Sequence, residues 1–171
     1  MQRFKSAGSA QKFLSTHAAV YNAMARRLGW ASHVMAGIVQ DQNYHNEQVA
    51  PALDDRSVVY RGPLGGADRT KALGSARALL HLINFEEPFG LSVVEALACG
   101  TPVIASNRGS MPELIDHGVT GFLVDSVDEA VDAIGRINEI DRAACRAASA
   151  ARFTVDRMAD RYLDLYRSLL G

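Results

Sequence analysis

Short apolar segments alternate with helical segments along most of this 171-residue chain, and this alternation limits the folds it can adopt. The apolar segments lie at 30–39, 57–60, 78–83, 102–105 and 121–124. Within them apolar residues stand side by side instead of alternating with polar ones, which is typical of strands buried on both faces. Such strands occur in parallel sheets that are covered by helices on each side.

Helical spacing of apolar residues predicts the connecting elements. The clearest example runs from Phe13 to Leu28 and ends before Gly29. Further helices are predicted at 41–50, 67–76, 90–98, 111–116, 127–138, 140–152 and 155–169. The order of elements therefore predicts an α/β fold, a Rossmann-like doubly wound parallel sheet with helices on both faces.

Length and composition predict a single domain covering 1–171, in which 1–12 is a poorly marked first strand or disordered. The 18 basic and 19 acidic residues nearly balance, which argues against a nucleic-acid partner. The sequence has no apolar run of transmembrane length and no signal peptide, and Cys99 and Cys145 suit reduced thiols. We therefore expect a cytoplasmic protein without a transmembrane segment.

The stretch NFEEPFGLSVVEALACGTPVI, residues 84–104, joins a predicted strand to a predicted helix. Glycine at position 90 lets a ligand approach the backbone closely. The N–H groups of Gly90, Leu91 and Ser92 lie at the positive end of the helix dipole, which suits a phosphate. Ligands of open parallel sheets bind at this carboxyl end of the strands, so we predict a phosphate-binding turn here.

Two glutamates flank this turn. Glu87 precedes the helix and Glu95 lies more than one turn inside it, so we do not expect them to face each other as a catalytic pair. Carboxylates accept paired hydrogen bonds from vicinal diols, and the two could hold different hydroxyl groups of one long ligand. The alternative is that Glu86 and Glu87 are first-turn helix charges and Glu95 is a solvated surface residue.

Two further loops follow predicted strands. In one, Ser110 and Glu113 have the S-x-x-E spacing of a capping box for the next helix. Arg108 in the same loop is either a phosphate cation or a solvated side chain. In the other, Gly37 could approach a nucleotide, although a glycine that ends a strand needs no ligand to explain it.

The remaining reactive side chains give little indication of other chemistry. The five histidines, at 17, 33, 45, 81 and 117, have no metal-ligand spacing, so neither a metal nor another cofactor is expected. His81 lies inside a predicted strand and is expected to be a hydrogen-bonded core residue. Ser92 and Ser110 lack a G-x-S-x-G elbow, and Cys99 has no apparent activating partner.

The segments EEPFGLSVVEALACGTPVIAS and GSMPELIDHGVTGFLV together resemble the C-terminal, nucleotide-sugar-binding half of family 4 (group 1) glycosyltransferases. These enzymes have two Rossmann-like domains in the GT-B arrangement. The resemblance rests on E-x7-E from Glu87 to Glu95, on PFGL, on EALACGTPVIA, and on PE followed by GVTGFLV. It implies that the chain is one half of a GT-B fold.

The resemblance also implies roles for individual residues. Glu87 and Phe89 would contact the donor sugar, and Glu95 would contact the nucleotide ribose. The turn at 90–92 would lie against the diphosphate. Gly109 would border the donor pocket. Arg108 and Gly37, considered above, are the other possible pocket residues.

Two parts of the family's machinery are not recognisable. The arginine and lysine that neutralise the leaving diphosphate align with Gln11 and Thr16, and the nearby Lys5 and Lys12 do not fit the spacing. The acceptor-binding domain has no counterpart in 171 residues. No catalytic residue is therefore assigned, and the isolated chain is expected to be inactive.

The resemblance thus favours the donor-binding domain of a retaining glycosyltransferase that uses a nucleotide sugar such as a UDP- or GDP-sugar. Its partner would be a separate N-terminal glycosyltransferase half or a second copy in a homodimer. One alternative is a non-catalytic, truncated GT-B-like domain that binds nucleotide or self-associates. Another is a related GT-B sugar-nucleotide epimerase, which would also need a second domain.

Overall fold

The computed structural model describes residues 33–36, 39, 41–53, 58–83 and 85–170. The chain divides into two compact units, Met1–Arg69 and Thr70–Gly171. Several sequence predictions lie outside the described residues: the helix at 13–28, the strand or disorder at 1–12, Gly37, the alignment of Gln11 and Thr16 with the family's cations, and the nearby Lys5 and Lys12. The single domain over 1–171 stays a prediction.

The first unit contains two short parallel strands. β1 (His33–Met35) pairs with β2 (Val58–Tyr60), with His33 opposite Val58. A helical segment precedes β2 and passes from α-helix (Gln42–Tyr44) through π-helix (His45–Val49) to a 3-10 turn (Ala50–Ala52). Proline at position 51 lies in the first positions of that last turn, where its missing N–H is tolerated. It could not be accommodated in the interior of a longer helix.

The second unit contains a three-stranded parallel sheet. Its strands are β3 (Leu79–His81), β4 (Val103–Ser106) and β5 (Gly121–Val124), in the order β3-β4-β5. Residues 103–105 of the central strand are fully buried, at 0% exposure. Successive side chains of a strand point to opposite faces, so both faces of β4 are covered. The sheet is parallel and its central strand is buried on both faces, as the side-by-side apolar residues predict.

Besides the helical segment before β2, the described residues form six α-helices: α1 (Gly66–Ser75), α2 (Leu91–Ala98), α3 (Met111–Leu114), α4 (Val127–Gly135), α5 (Arg142–Arg152) and α6 (Val155–Leu170). α2 packs against β3, β4 and α5, and α4 packs against β4 and β5. Their apolar residues, among them Val93, Leu97 and Ile134, are fully buried and form the core with β4. The predicted α/β class is confirmed.

Two of the helices α1 to α6 end two or more residues before the end predicted from the sequence. α3 has a single turn instead of the predicted 111–116, because Ile115 already has an extended backbone (φ −111°, ψ 118°). α4 ends at Gly135, and a separate 3-10 turn, Ile137–Glu139, takes up the rest of the predicted 127–138.

The last helix, α6, differs from α1 to α5 because every one of its residues is exposed. Its large apolar side chains recur at helical spacing and are exposed: Val155, Met158, Tyr162, Leu163, Leu165, Tyr166, Leu169 and Leu170. An apolar helix face of this size is typical of a surface that packs against another polypeptide.

No helix among the described residues has both the length and the apolar character needed to cross a bilayer.

Candidate functional site

The candidate site lies where β3 and β4 end, at the loops that lead into α2 and α3. β3 and β4 are parallel neighbours, so both loops leave the same edge of the sheet. The β3–α2 loop ends at Gly90, which is the N-cap of α2 and has a left-handed φ of 85°. A Cβ at this position would lie 2.6 Å from Met111 Cε, so the glycine also lets α2 start against α3.

The carboxylate of Glu87 lies at the N-terminus of α2. Its Oε1 accepts hydrogen bonds from the backbone N–H of Gly90 at 3.1 Å and of Phe89 at 3.4 Å. This is a helix-capping contact, in which a negative charge meets the positive end of the helix dipole. Glu87 makes this contact from the loop before the helix, because the first turn of α2 contains no acidic residue.

The rest of the predicted phosphate-binding turn faces outward. Leu91 and Ser92 are exposed, and within the part of the chain that the structure describes their N–H groups have no hydrogen-bond partner. The ring of Phe89 is 52% exposed. Together with the amides that Glu87 contacts, this end of α2 can bind an anionic group.

Glu95 lies on α2 itself and is half-buried. Five residues of helix separate its Cα from that of Gly90 along the axis, which corresponds to about 7 Å. Glu87 thus lies in the loop before α2 and Glu95 lies inside the helix, in the order along the chain that the sequence predicts.

Three hydrogen bonds tie the β4–α3 loop to the β3–α2 loop. Glu86 Oε2 accepts from Gly109 N at 2.6 Å, the carbonyl of Glu87 accepts from Ser110 N at 2.9 Å, and the carbonyl of Phe89 accepts from Ser110 Oγ at 2.9 Å. Gly109 has a φ of 57°, and a Cβ there would lie 2.5 Å from the backbone N of Glu87. The two loops are thus in backbone contact.

The predicted capping box of Ser110 and Glu113 is wrong. The Ser110 hydroxyl makes no cap to α3, because it donates to the Phe89 carbonyl of the neighbouring loop. Ser110 also has a helical backbone (φ −77°, ψ −6°), whereas an N-cap side chain acts from an extended one. The N–H of Glu113 instead bonds to the Ser110 carbonyl at 3.0 Å.

Glu86 is the site residue that sequence reasoning missed. It appeared only as a first-turn charge, yet its carboxylate crosses to Gly109 in the other loop. The two residues lie 23 positions apart, so no local spacing could reveal the contact. Arg108 is exposed, and among the described residues its side chain has no partner, so the structure leaves both of its interpretations open.

His81 ends β3 beside this site. Its Nε2 is buried and has no hydrogen-bond partner within the described residues, so the expectation of a hydrogen-bonded core histidine is wrong. Burial lowers the pKa of the His81 ring, and the nearby charge of Glu87 opposes this shift. Ala105, which lies opposite His81 on the neighbouring strand, has no polar side chain that could bond to the ring.

The cysteines offer no nucleophile. Cys99 is half-buried and Cys145 is buried, and both are free thiols. Burial raises the pKa of the Cys145 thiol, whose Sγ lies 3.6 Å from the Thr120 carbonyl. Across the described residues no group of three or more histidine, cysteine or acidic side chains could hold a metal ion.

Comparison with known proteins identifies the family. Residues 9–139 match the family model described as glycosyl transferases group 1. The chain belongs to the group 1 glycosyltransferases. The family assignment from the E-x7-E segment is thereby confirmed at this level.

Relatives and solved structures agree with this assignment. D-inositol 3-phosphate glycosyltransferase of Saccharomonospora viridis is 32% identical over 143 residues, which cover 80% of this group 1 glycosyltransferase chain and 33% of the relative. The crystal structure of Anabaena Alr3699/HepE in complex with UDP-glucose has a TM-score of 0.74 at 25% identity, covering 92% of this chain and 46% of that one.

A second structural neighbour is sucrose-phosphate synthase of Thermosynechococcus elongatus. Its TM-score is 0.67 at 28% identity, with 94% of this chain and 43% of that chain covered. This group 1 glycosyltransferase chain therefore spans about a third of the length of the curated relative above. It spans less than half of each of the two solved structures.

Proposed function

We propose that this chain is the donor-binding domain of a retaining glycosyltransferase and that it binds a nucleoside diphosphate sugar such as a UDP- or GDP-sugar. The carrying observation is the end of α2, where backbone N–H groups already bind the carboxylate of Glu87. In this proposal the diphosphate lies against Gly90, Leu91 and Ser92. Glu87 and Phe89 contact the sugar, and Glu95 binds the ribose.

The charge pattern of the site supports a ligand with an anionic middle and polar ends. The N-terminus of α2 stabilises negative charge, and the carboxylates of Glu87 and Glu95 are acceptors for hydroxyl groups. The neighbour Alr3699/HepE has been crystallised with UDP-glucose, which has this layout. The proposal expects no metal, because the amides of α2 meet the phosphate charge.

During transfer, the bond between the anomeric carbon and the diphosphate oxygen breaks, a bond from the acceptor oxygen to that carbon forms, and the proton of the acceptor hydroxyl passes to the departing diphosphate. The nucleoside diphosphate leaves with the electron pair, and the N–H groups of 90–92 stabilise its added charge. The acceptor hydroxyl must be held against the anomeric carbon in a closed cleft. We propose that a second, acceptor-binding domain outside this sequence supplies the other wall, so the isolated chain binds donor without transferring sugar.

Calorimetry with UDP, GDP and ADP tests this function on the whole chain. At least one should bind, and Glu95→Ala should weaken it about tenfold, because a charged acceptor for the ribose hydroxyls is lost. The 2′-deoxy nucleotide of the same base sharpens the test. Wild type should prefer the ribonucleotide, and Glu95→Ala should not.

Glu113→Ala is the matched control, since it removes an exposed glutamate of α3 with no role in the proposed site. It should bind nucleotide like wild type. Absence of heat with all three nucleotides at millimolar concentration would overturn the proposed function.

A second candidate function is a non-catalytic module that self-associates. The exposed apolar face of α6 favours it, since such faces pack against other polypeptides. If it is correct, light scattering should give a mass that rises with concentration towards a dimer, and Met158→Lys with Tyr162→Lys should restore the monomer. A monomer of constant mass that binds nucleotide would exclude this candidate and favour the donor-binding domain. We propose a cytoplasmic location for that domain.

A further inference from the structure

We infer that Glu86 is a positioning residue of the donor site: through Gly109 it holds the β4–α3 loop under Glu87, and so it fixes where the Glu87 carboxylate lies. This inference rests on the proposed function for its meaning in catalysis. It assigns a role to a side chain that would not itself touch the donor.

The contact that carries the inference is short and charged. Glu86 Oε2 lies 2.6 Å from the backbone N of Gly109, whose N–H donates to it. Hydrogen bonds to an ionised acceptor are shorter and about twice as strong as neutral ones. Glu86 is exposed, so its side chain is not held by packing against the core. The hydrogen bond to Gly109 is the contact that orients it.

The same loop pair is in contact along its backbone. Gly109 leaves no room for a Cβ beside Glu87, and Ser110 bonds to the Glu87 carbonyl and to the Phe89 carbonyl. The backbone of Glu87 is therefore supported from the β4–α3 loop. Of the three hydrogen bonds described between these loops, the one from Glu86 is the only one that involves an ionised group.

The consequence for Glu87 follows from the chain geometry. Its carboxylate reaches the N–H groups of Phe89 and Gly90 from a backbone that rests on Gly109 and Ser110. If Glu86 releases Gly109, that support loosens and the Glu87 carboxylate samples more positions. The two adjacent glutamates thus act on different loops, and each negative charge is balanced by backbone N–H groups.

Three variants of the whole chain separate positioning from simple stabilisation. Glu86→Ala removes the bond to Gly109, Glu86→Gln keeps an oxygen acceptor without charge, and Glu113→Ala removes an exposed glutamate of α3. Each is titrated with UDP and with UDP-glucose. Amide hydrogen exchange is followed at Gly109 and Gly90, with Ile104 of the buried strand β4 as the reference for global opening.

Positioning predicts a selective loss. In Glu86→Ala the affinity for UDP should stay within about twofold of wild type. The gain in affinity that the glucose group gives, measured as the ratio of the UDP-glucose and UDP affinities, should fall about fivefold to tenfold. Glu86→Gln should recover much of that gain, and Glu113→Ala should match wild type. Without ligand, Glu86→Ala should speed exchange several-fold at Gly109 and also at Gly90, but not at Ile104.

Other results would overturn the inference. If Gly109 exchanges faster but Gly90 does not, Glu86 only anchors its own bond. If the affinities of Glu86→Ala for UDP and for UDP-glucose fall by the same factor and the Ile104 amide exchanges faster, the role of Glu86 is structural. If wild type binds neither UDP nor UDP-glucose, the proposed function loses its support with this base, and the exchange at Gly90 still decides whether Glu86 positions Glu87.

Discussion

Gly121→Ala is expected to lower the free energy of unfolding by roughly 3–4 kcal/mol, because a Cβ cannot fit between β5 and β4. Gly121 lies opposite Val103 in the parallel register. A Cβ there would overlap the Val103 carbonyl oxygen, which is backbone and cannot rotate away. The two strands would have to separate at the point where their pairing begins. Denaturant unfolding followed by circular dichroism measures the loss.

Gly135→Ala is the matched control for this substitution. Gly135 ends α4, and a Cβ there would meet nothing within 4 Å. The added methyl group should leave stability unchanged or raise it by a few tenths of a kcal/mol, since alanine is the better helix former. If Gly121→Ala were as stable as Gly135→Ala, the close pairing of β4 and β5 would be wrong.

Arg142→Ala is expected to cost roughly 2–3 kcal/mol of stability, because one guanidinium satisfies several acceptors at the end of α1. Its nitrogens lie 2.7 Å from the Ala76 carbonyl and 2.7 Å from the Gly74 carbonyl, and 3.1 Å from Thr101 Oγ1. Thr101 is fully buried. Removing the arginine takes this donor from the part-buried Ala76 carbonyl and from the Thr101 hydroxyl, whereas the exposed Gly74 carbonyl can bond to water instead.

Arg142→Lys distinguishes this network from a general effect of charge. A lysine keeps the charge but lacks the planar fork that reaches several acceptors, so it should recover only part of the stability. Arg146→Ala, an exposed arginine one turn along α5, should change stability by less than about 0.5 kcal/mol. Equal losses for Arg142→Ala and Arg146→Ala would contradict the network.

The strands of this chain could be predicted because local burial determines their sequence pattern. β4 needs apolar side chains on both faces, and VIA supplies them within one residue of the predicted bounds. α6 begins at Val155 and ends one residue beyond the predicted 155–169, because its apolar spacing is regular. Such features depend on neighbours in sequence, so the sequence displays them.

The contacts that failed prediction depend on partners distant in sequence. Ser110 has the spacing of a capping box, but its hydroxyl finds the Phe89 carbonyl 21 residues away. Glu86 finds Gly109, and the ring of His81 is enclosed without a partner for Nε2 among the described residues. Local sequence spacing shows which hydrogen bonds a side chain could make. The fold determines which of those partners lies within reach.

The position of the Glu87 carboxylate has a consequence for how a donor would enter. The amides at the start of α2 already bind one anion, and it belongs to the chain. A diphosphate bound at Gly90, Leu91 and Ser92 would therefore displace this carboxylate from the Gly90 amide, whereas the Leu91 and Ser92 amides have no other partner among the described residues. The displaced Glu87 carboxylate would then lie next to the sugar that it is proposed to bind. Binding of the diphosphate and binding of the sugar would therefore be coupled through this one side chain.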